Sequence, residues 1–129
     1  MFTIAQIQEA HSGVKSGADF PKYVQELIGL GVLSYDVFVG NGHAEYRGAD
    51  GFEVKSDAGY SEQKVIIDSN AEKFKHYLKI HQQGETDYLT FCKHAAETGI
   101  HKWTVDLQKR TCTYSDWAGN EMIVEKIPG

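Results

Sequence analysis

Residues 17–54 recur at 85–122. Offset by 68 positions, Asp19 meets Asp87, Gly31 meets Gly99, Val37 meets Val105, Tyr46 meets Tyr114, Gly51 meets Gly119 and Glu53 meets Glu121. Phe20 also falls on Tyr88, Tyr23 on Phe91, Tyr35 on Trp103 and Val54 on Met122. The weight of these matches lies in where they fall: a helix cap, a helix stop, a turn and inward strand positions, where backbone geometry and burial restrict the residue. An offset of 70 aligns the first helices as well, Ile4 with Phe74, Ile7 with Tyr77 and His11 with His81. A unit of about sixty residues buries too little surface to be robust alone. The two copies are therefore expected to form one domain over 1–129, with repeat one at 1–55, a connector at 56–69 and repeat two at 70–129.

Each copy reads helix, helix, strands. Thr3 and Gln6 have capping-box spacing ahead of Ile4, Ile7, His11 and Val14 on one face, and Ser16-Gly17-Ala18 breaks that helix. Asp19 caps a second helix whose stripe is Phe20, Tyr23, Val24, Leu27 and Ile28, stopped by Gly31. From Leu33 the period becomes two: Leu33, Tyr35, Val37 and Val39 face one side, Ser34, Asp36 and Phe38 the other. Turns at Gly40-Asn41-Gly42 and Asp50-Gly51 complete a three-stranded meander through Ala44, Tyr46, Phe52 and Val54. In the second copy Ser69 and Glu72 repeat the capping-box spacing before Phe74, Tyr77, Leu78 and His81. Asp87 then caps Tyr88, Phe91, Cys92, Ala95 and Ala96. His101, Trp103, Val105 and Leu107 alternate with polar residues, and Cys112, Tyr114, Met122 and Val124 continue the inward face.

The expected fold is a two-layer α+β domain: a tandem pseudo-twofold repeat of helix-helix-three-stranded antiparallel meander, with the helices packed on one face of the sheet. Pattern alone leaves open whether the meanders join into one six-stranded sheet or form two.

The balance of 13 Lys plus Arg against 18 Asp plus Glu, a net charge of −5, argues against a nucleic-acid partner, which needs a basic face. No segment has the charged-then-apolar layout of an export signal, and the apolar run at 27–33 is interrupted by Gly29 and Gly31, so the expectation is a cytoplasmic protein without a membrane partner. Cys92 and Cys112 lack zinc-site spacing and are read as reduced core thiols. No Gly-rich phosphate loop, nucleophile elbow or calcium loop is present, so no cofactor, metal or catalytic residue is assigned.

Residues 78–92, with Gly84-Glu85-Thr86-Asp87-Tyr88 at their centre, and Ala95-Ala96-Glu97-Thr98-Gly99 after them resemble the YdfO/YbcV-like family of uncharacterised small bacterial and prophage proteins. The segment 14–23, Lys102-Trp103, Val105-Asp106 and Cys112-Thr113-Tyr114 resemble it too. The resemblance implies an α+β fold and carries no catalytic or binding residue across. Some members are labelled phage envelope protein, a description to which this sequence lends no physical support.

His11 and His81 correspond under the repeat and both fall on the inward stripe of a first helix, where two imidazoles could flank a shared pocket; a half-buried histidine near a helix C-terminus is the plainer reading. The polar sheet face is the broader candidate. His43, Glu45, Arg47, Glu53 and Lys55 from the first copy and Lys102, Thr104, Asp106, Thr111, Thr113, Ser115 and Glu121 from the second point away from the helices, with Phe38 and Ile123 among them. Trp117, in a hairpin turn, is either an exposed anchor for a partner or folds back over the sheet edge. The ligand or partner surface thus comprises His11, His81, His43, Arg47 and Trp117.

These residues suit a small soluble non-enzymatic binding or interaction protein whose partner is an unidentified protein or a small polar ligand; a homodimer through an edge strand is a variant. The alternatives are a small hydrolase-like enzyme with a His11/His81 pocket and a structural phage component.

Overall fold

The structure, a computed structural model, describes residues 2–14 and 19–127. Helix α1 (Ile4–His11) starts on the expected capping box: Thr3 Oγ1 accepts the Gln6 N–H at 3.2 Å and Gln6 Oε1 accepts the Thr3 N–H at 2.8 Å. It ends at His11, three residues short of the end of its apolar stripe at Val14, with Ser12 as its C-cap. The break expected at Ser16-Gly17-Ala18 lies outside the described residues. Helix α2 (Phe20–Leu30) has Asp19 at its N-cap and Pro21 in its first turn, where a missing N–H breaks no helical bond. Helix α3 (Ala71–Gln82) is capped by Asn70, whose side chain accepts the Lys73 N–H at 3.0 Å, and not by Ser69, whose hydroxyl donates to Asp116 at 3.1 Å. Helix α4 (Tyr88–Glu97) has the expected Asp87 cap, which accepts the Thr90 N–H at 2.8 Å.

The strands are β1 (Ser34–Phe38), β2 (Ala44–Arg47), β3 (Glu53–Lys55), β4 (Lys102–Asp106), β5 (Thr111–Ser115) and β6 (Glu121–Lys126). They form one antiparallel six-stranded sheet in the order β3-β2-β1-β4-β5-β6, so the two meanders join edge to edge at β1 and β4. In that pair Tyr35 stands opposite Val105, Asp36 opposite Thr104 and Val37 opposite Trp103. Residues that face each other on a twofold axis must be equivalent, and 104 − 36 = 68. The offset read from the sequence is therefore the offset of the sheet's own axis, which passes between Asp36 and Thr104.

The equivalent helix stops Gly31 and Gly99 share a left-handed backbone, φ +97° and +84°. Alanine is strained at both, but a Cβ on Gly31 would meet open space whereas one on Gly99 would lie 2.7 Å from Ser69 Cα. Gly31→Ala is expected to cost roughly 1 kcal/mol and Gly99→Ala at least twice that, a ranking that urea denaturation of the two variants checks.

The helices cover one face. Tyr23 of α2 and Tyr46 of β2 are both buried in the shared core, Phe74 of α3 packs on Tyr114 of β5 at 5.0 Å, and Phe91 of α4 packs on Trp103 of β4 at 5.7 Å. Val24, Leu27, Phe74, Ala95, Ile100 and Val105 are fully buried between the layers. Two stripe residues, Ile28 and Tyr88, lie at the margin and stay partly exposed.

The last strand departs from simple alternation. Tyr114 pairs with Ile123 but Ser115 pairs with Glu121, so Met122 is an extra residue in a β-bulge. Beyond it the faces exchange: Ile123, expected on the polar face, packs against the core, and Val124, expected inward, is 55% exposed. Glu125 consequently turns toward the helices and accepts the Gln82 side-chain N–H of α3 at 2.9 Å.

Candidate functional site

Away from the helices the sheet register sets polar side chains in three rows. One runs Glu53, Arg47, Ser34, Asp106, Thr111, Lys126; the next runs Lys55, Glu45, Asp36, Thr104, Thr113, Val124. The third carries Phe38, Lys102, Ser115 and Glu121, with His43 beside Phe38.

At the centre is Asp36, only 8% exposed although it stands on the open face. Its Oδ1 accepts the Thr104 hydroxyl at 2.5 Å; its Oδ2 accepts from Arg47 Nη1 at 3.1 Å and faces Lys102 Nζ at 3.7 Å. Arg47 Nε also donates to Ser34 Oγ at 2.9 Å, which pins the guanidinium flat on the sheet. Burial acts to raise the Asp36 carboxyl, but the hydrogen bonds from Arg47 and Thr104 and the charges of Arg47 and Lys102 outweigh it and hold the carboxyl below its ordinary range. Of this group Arg47, Lys102 and Thr104 are among the polar-face residues singled out from sequence, whereas the central Asp36 is not.

Along one end of the sheet the rings stand in a line. His43 stacks on Phe38 at 4.4 Å, Phe38 meets His101 edge-on at 5.6 Å, and His101 stacks on Trp117 at 4.0 Å. His43 also reaches Asn41 through Nδ1 at 2.7 Å and Glu45 through Nε2 at 3.2 Å. His101, inward by alternation, precedes the first paired residue of β4 and turns its ring to the indole instead.

Trp117 is both folded back and half exposed. Its indole N–H donates to the Val65 carbonyl at 3.1 Å, folding the side chain back to the connector, yet 51% of it remains exposed. The turn that carries it is fixed by Asp116, which accepts the N–H groups of Ala118 and Asn120, the Asn120 side chain and the Ser69 hydroxyl. Those bonds, Asn120's foremost, hold the Asp116 carboxyl below its ordinary value. The connector is anchored at the same end of the sheet, where Tyr60 and Gln63 both donate to the Val39 carbonyl, at 2.6 and 3.0 Å.

Between the Trp117 turn and β4 lies an open concavity of about 580 Å³, floored by Thr104, Thr111, Thr113 and Ser115 and rimmed by His101, Lys102, Lys109, Trp117 and Glu121. Its size is within the roughly 300–1,000 Å³ of small-ligand sites. Of the five candidate residues Trp117 borders this concavity; His43 and Arg47 belong to the neighbouring first-copy half of the same face.

His11 and His81 lie elsewhere, among the helices. His11 is exposed at the end of α1, edge-on to Tyr23 at 5.2 Å and Tyr88 at 6.4 Å. His81 stacks on Phe91 at 4.4 Å, and its Nδ1 meets the Thr86 carbonyl and hydroxyl at 3.1 and 3.2 Å. Partial burial lowers both imidazole pKa values, the Thr86 carbonyl working against it at His81. Tyr88, Trp103 and Phe91 form a chain of ring contacts between the two histidines.

Cys92 and Cys112 are free and buried. Burial raises both thiols, Cys112 to about 12, so each is protonated at neutral pH. Among the described residues no group of three or more His, Cys, Asp or Glu is arranged to hold a metal ion, and no helix is long and apolar enough to cross a membrane.

No curated protein matches the chain. Residues 8–126 match a family described as protein of unknown function (DUF1398), a match that includes both helix pairs and all six strands apart from the first turn of α1, and the chain belongs to that family.

Proposed function

We propose that the protein is a small binding domain that takes a polar ligand on the open face of its sheet, over β4 and β5, and that it is not an enzyme. The observation that carries this reading is the concavity of about 580 Å³ beside Trp117, whose floor is made of strand hydroxyls and whose rim is held in place by the Asp116 hydrogen bonds. A rigid rim over a regular strand floor is preorganised, which reduces the ordering cost of binding. The protonated, buried thiols support a non-catalytic reading, since neither supplies a thiolate nucleophile. A prophage-borne role is part of the same proposal, on the resemblance of residues 78–92 to the YdfO/YbcV-like proteins.

The test is a thermal-shift screen of a metabolite library against the wild type and Thr113→Lys, which fills the floor with a long charged side chain. A true ligand at one hundred times its Kd adds about 2.7 kcal/mol to the wild type and raises its Tm by several degrees. Thr113→Lys should show no such rise. Hits that stabilise both proteins equally, or a library without hits, would overturn the reading.

A further inference from the structure

The contents of the concavity narrow the ligand class. Its charged groups are already engaged or balanced. Asp106 Oδ1 accepts the N–H groups of Gln108 and Lys109, both at 3.0 Å, and the Asp116 oxygens are taken up by its own turn. Lys102 leans on Asp36 at 3.7 Å. Three carboxylates, Asp106, Asp116 and Glu121, line the space against two ammonium groups, Lys102 and Lys109, so an anion such as a phosphate ester meets no net positive field. The uncommitted polar groups are uncharged: among the described residues the hydroxyls of Thr111, Thr113 and Ser115 have no hydrogen-bond partner, and each both donates and accepts.

Beside these hydroxyls stands the indole of Trp117. His101 stacks against the ring at 4.0 Å and the Val65 carbonyl accepts its N–H, contacts that orient the ring, while half of its surface faces solvent. An exposed indole lining the same space as a row of donor–acceptor hydroxyls matches a ligand with one apolar C–H face and an equatorial belt of hydroxyls.

We propose that the concavity binds a neutral saccharide ring, its C–H face on Trp117 and its hydroxyls on Thr113 and Ser115; this rests on the reading that the open face is a binding site. The first copy has Ala49 at the equivalent position, so the tryptophan is particular to the half that carries the concavity.

The experiment is an amide and indole N–H NMR titration of the full chain with glucose, galactose, N-acetylglucosamine and their disaccharides, and in parallel with inorganic phosphate and citrate. At least one neutral sugar is expected to give saturable shifts at Thr113, Ser115 and the Trp117 indole. Trp117→Ala should weaken that binding about tenfold and Trp117→Tyr by less, because a smaller ring still offers a face. Thr113→Val, which keeps strand propensity, should weaken it several-fold. Absence of saturable shifts with every neutral sugar, or sugar binding unaffected by Trp117→Ala, overturns the saccharide. Shifts at the same residues with phosphate or citrate alone would overturn the saccharide and leave open-face binding standing, whereas a failed thermal-shift screen removes the binding reading itself.

Discussion

Phe74→Ala is expected to remove about 3–5 kcal/mol from the stability of the folded chain, the range for deleting a large buried aromatic. Phe74 is fully buried and is the ring through which α3 reaches the sheet, with Tyr114 at 5.0 Å and Phe91 at 5.8 Å. No neighbour can fill the space without giving up one of those contacts, so most of the cavity should persist. Against a total of roughly 5–15 kcal/mol for a domain, this loss leaves a barely folded protein. Its partner under the repeat, Ile4, is only half-buried, and Ile4→Ala should cost less than half as much. Urea denaturation of both variants decides the point: the Phe74→Ala midpoint should fall steeply at an unchanged slope. Equal losses at the two sites would mean that the copies share the core evenly.

The second large effect belongs to Asp36. Removing its carboxylate by Asp36→Ala leaves Arg47 and Lys102 facing each other with no counter-charge, and leaves the Thr104 hydroxyl without its acceptor. Loss of one member of a buried pair costs up to about 3–5 kcal/mol. Because Arg47 and Lys102 are each about one third exposed and can turn toward water, roughly 2–3 kcal/mol is expected here. The effect should depend on pH in a fixed direction. The folded carboxyl titrates below its ordinary value of 3.8, so its contribution is complete above that value and disappears as pH falls through the lower, folded one. The difference between wild type and Asp36→Asn should therefore be constant above about pH 5 and shrink in acid. A difference that grew on acidification would contradict the pairing.

The sequence made some of this architecture plain for a physical reason. Helix stripes, glycine stops and period-two strands are local consequences of backbone geometry, and the Thr3–Gln6 and Asp87 caps appear where their spacing put them. The bulge was not legible. Alternation defines the faces of a strand only up to an inserted residue, and nothing at Met122 marks it as the extra one. The cap of α3 slipped by one residue because Ser69 and Asn70 can both cap, and a contact with Asp116, 47 positions away, engages the serine. His11 was placed inward on the assumption that α1 continues to Val14; it ends at His11, which leaves the ring at an exposed terminus. Asp36 illustrates the main obstacle at the candidate site. Alone it is one more polar residue on a strand, and its surroundings come from Arg47, Lys102 and Thr104 on two neighbouring strands. The repeat offset superposes Asp36 on Thr104, but it superposes every other equivalent pair as well, so only the β1–β4 register shows that this pair lies at the seam.

The seam at that axis has a consequence for how the molecule associates. The edge of β1 meets the edge of β4 across a pseudo-twofold, and the covalent link supplies the second half in cis. A tether of this kind holds its ends at an effective concentration on the order of millimolar. At micromolar protein a tether of that strength favours pairing within one chain. Were the connector to open, β1 of one chain would face the same β4 edge on a second chain, and the pairing that closes the seam in cis could form in trans. The same edge-to-edge pairing that joins the two halves in one chain is thus the pairing that would join two chains, with connector closure and concentration deciding between them.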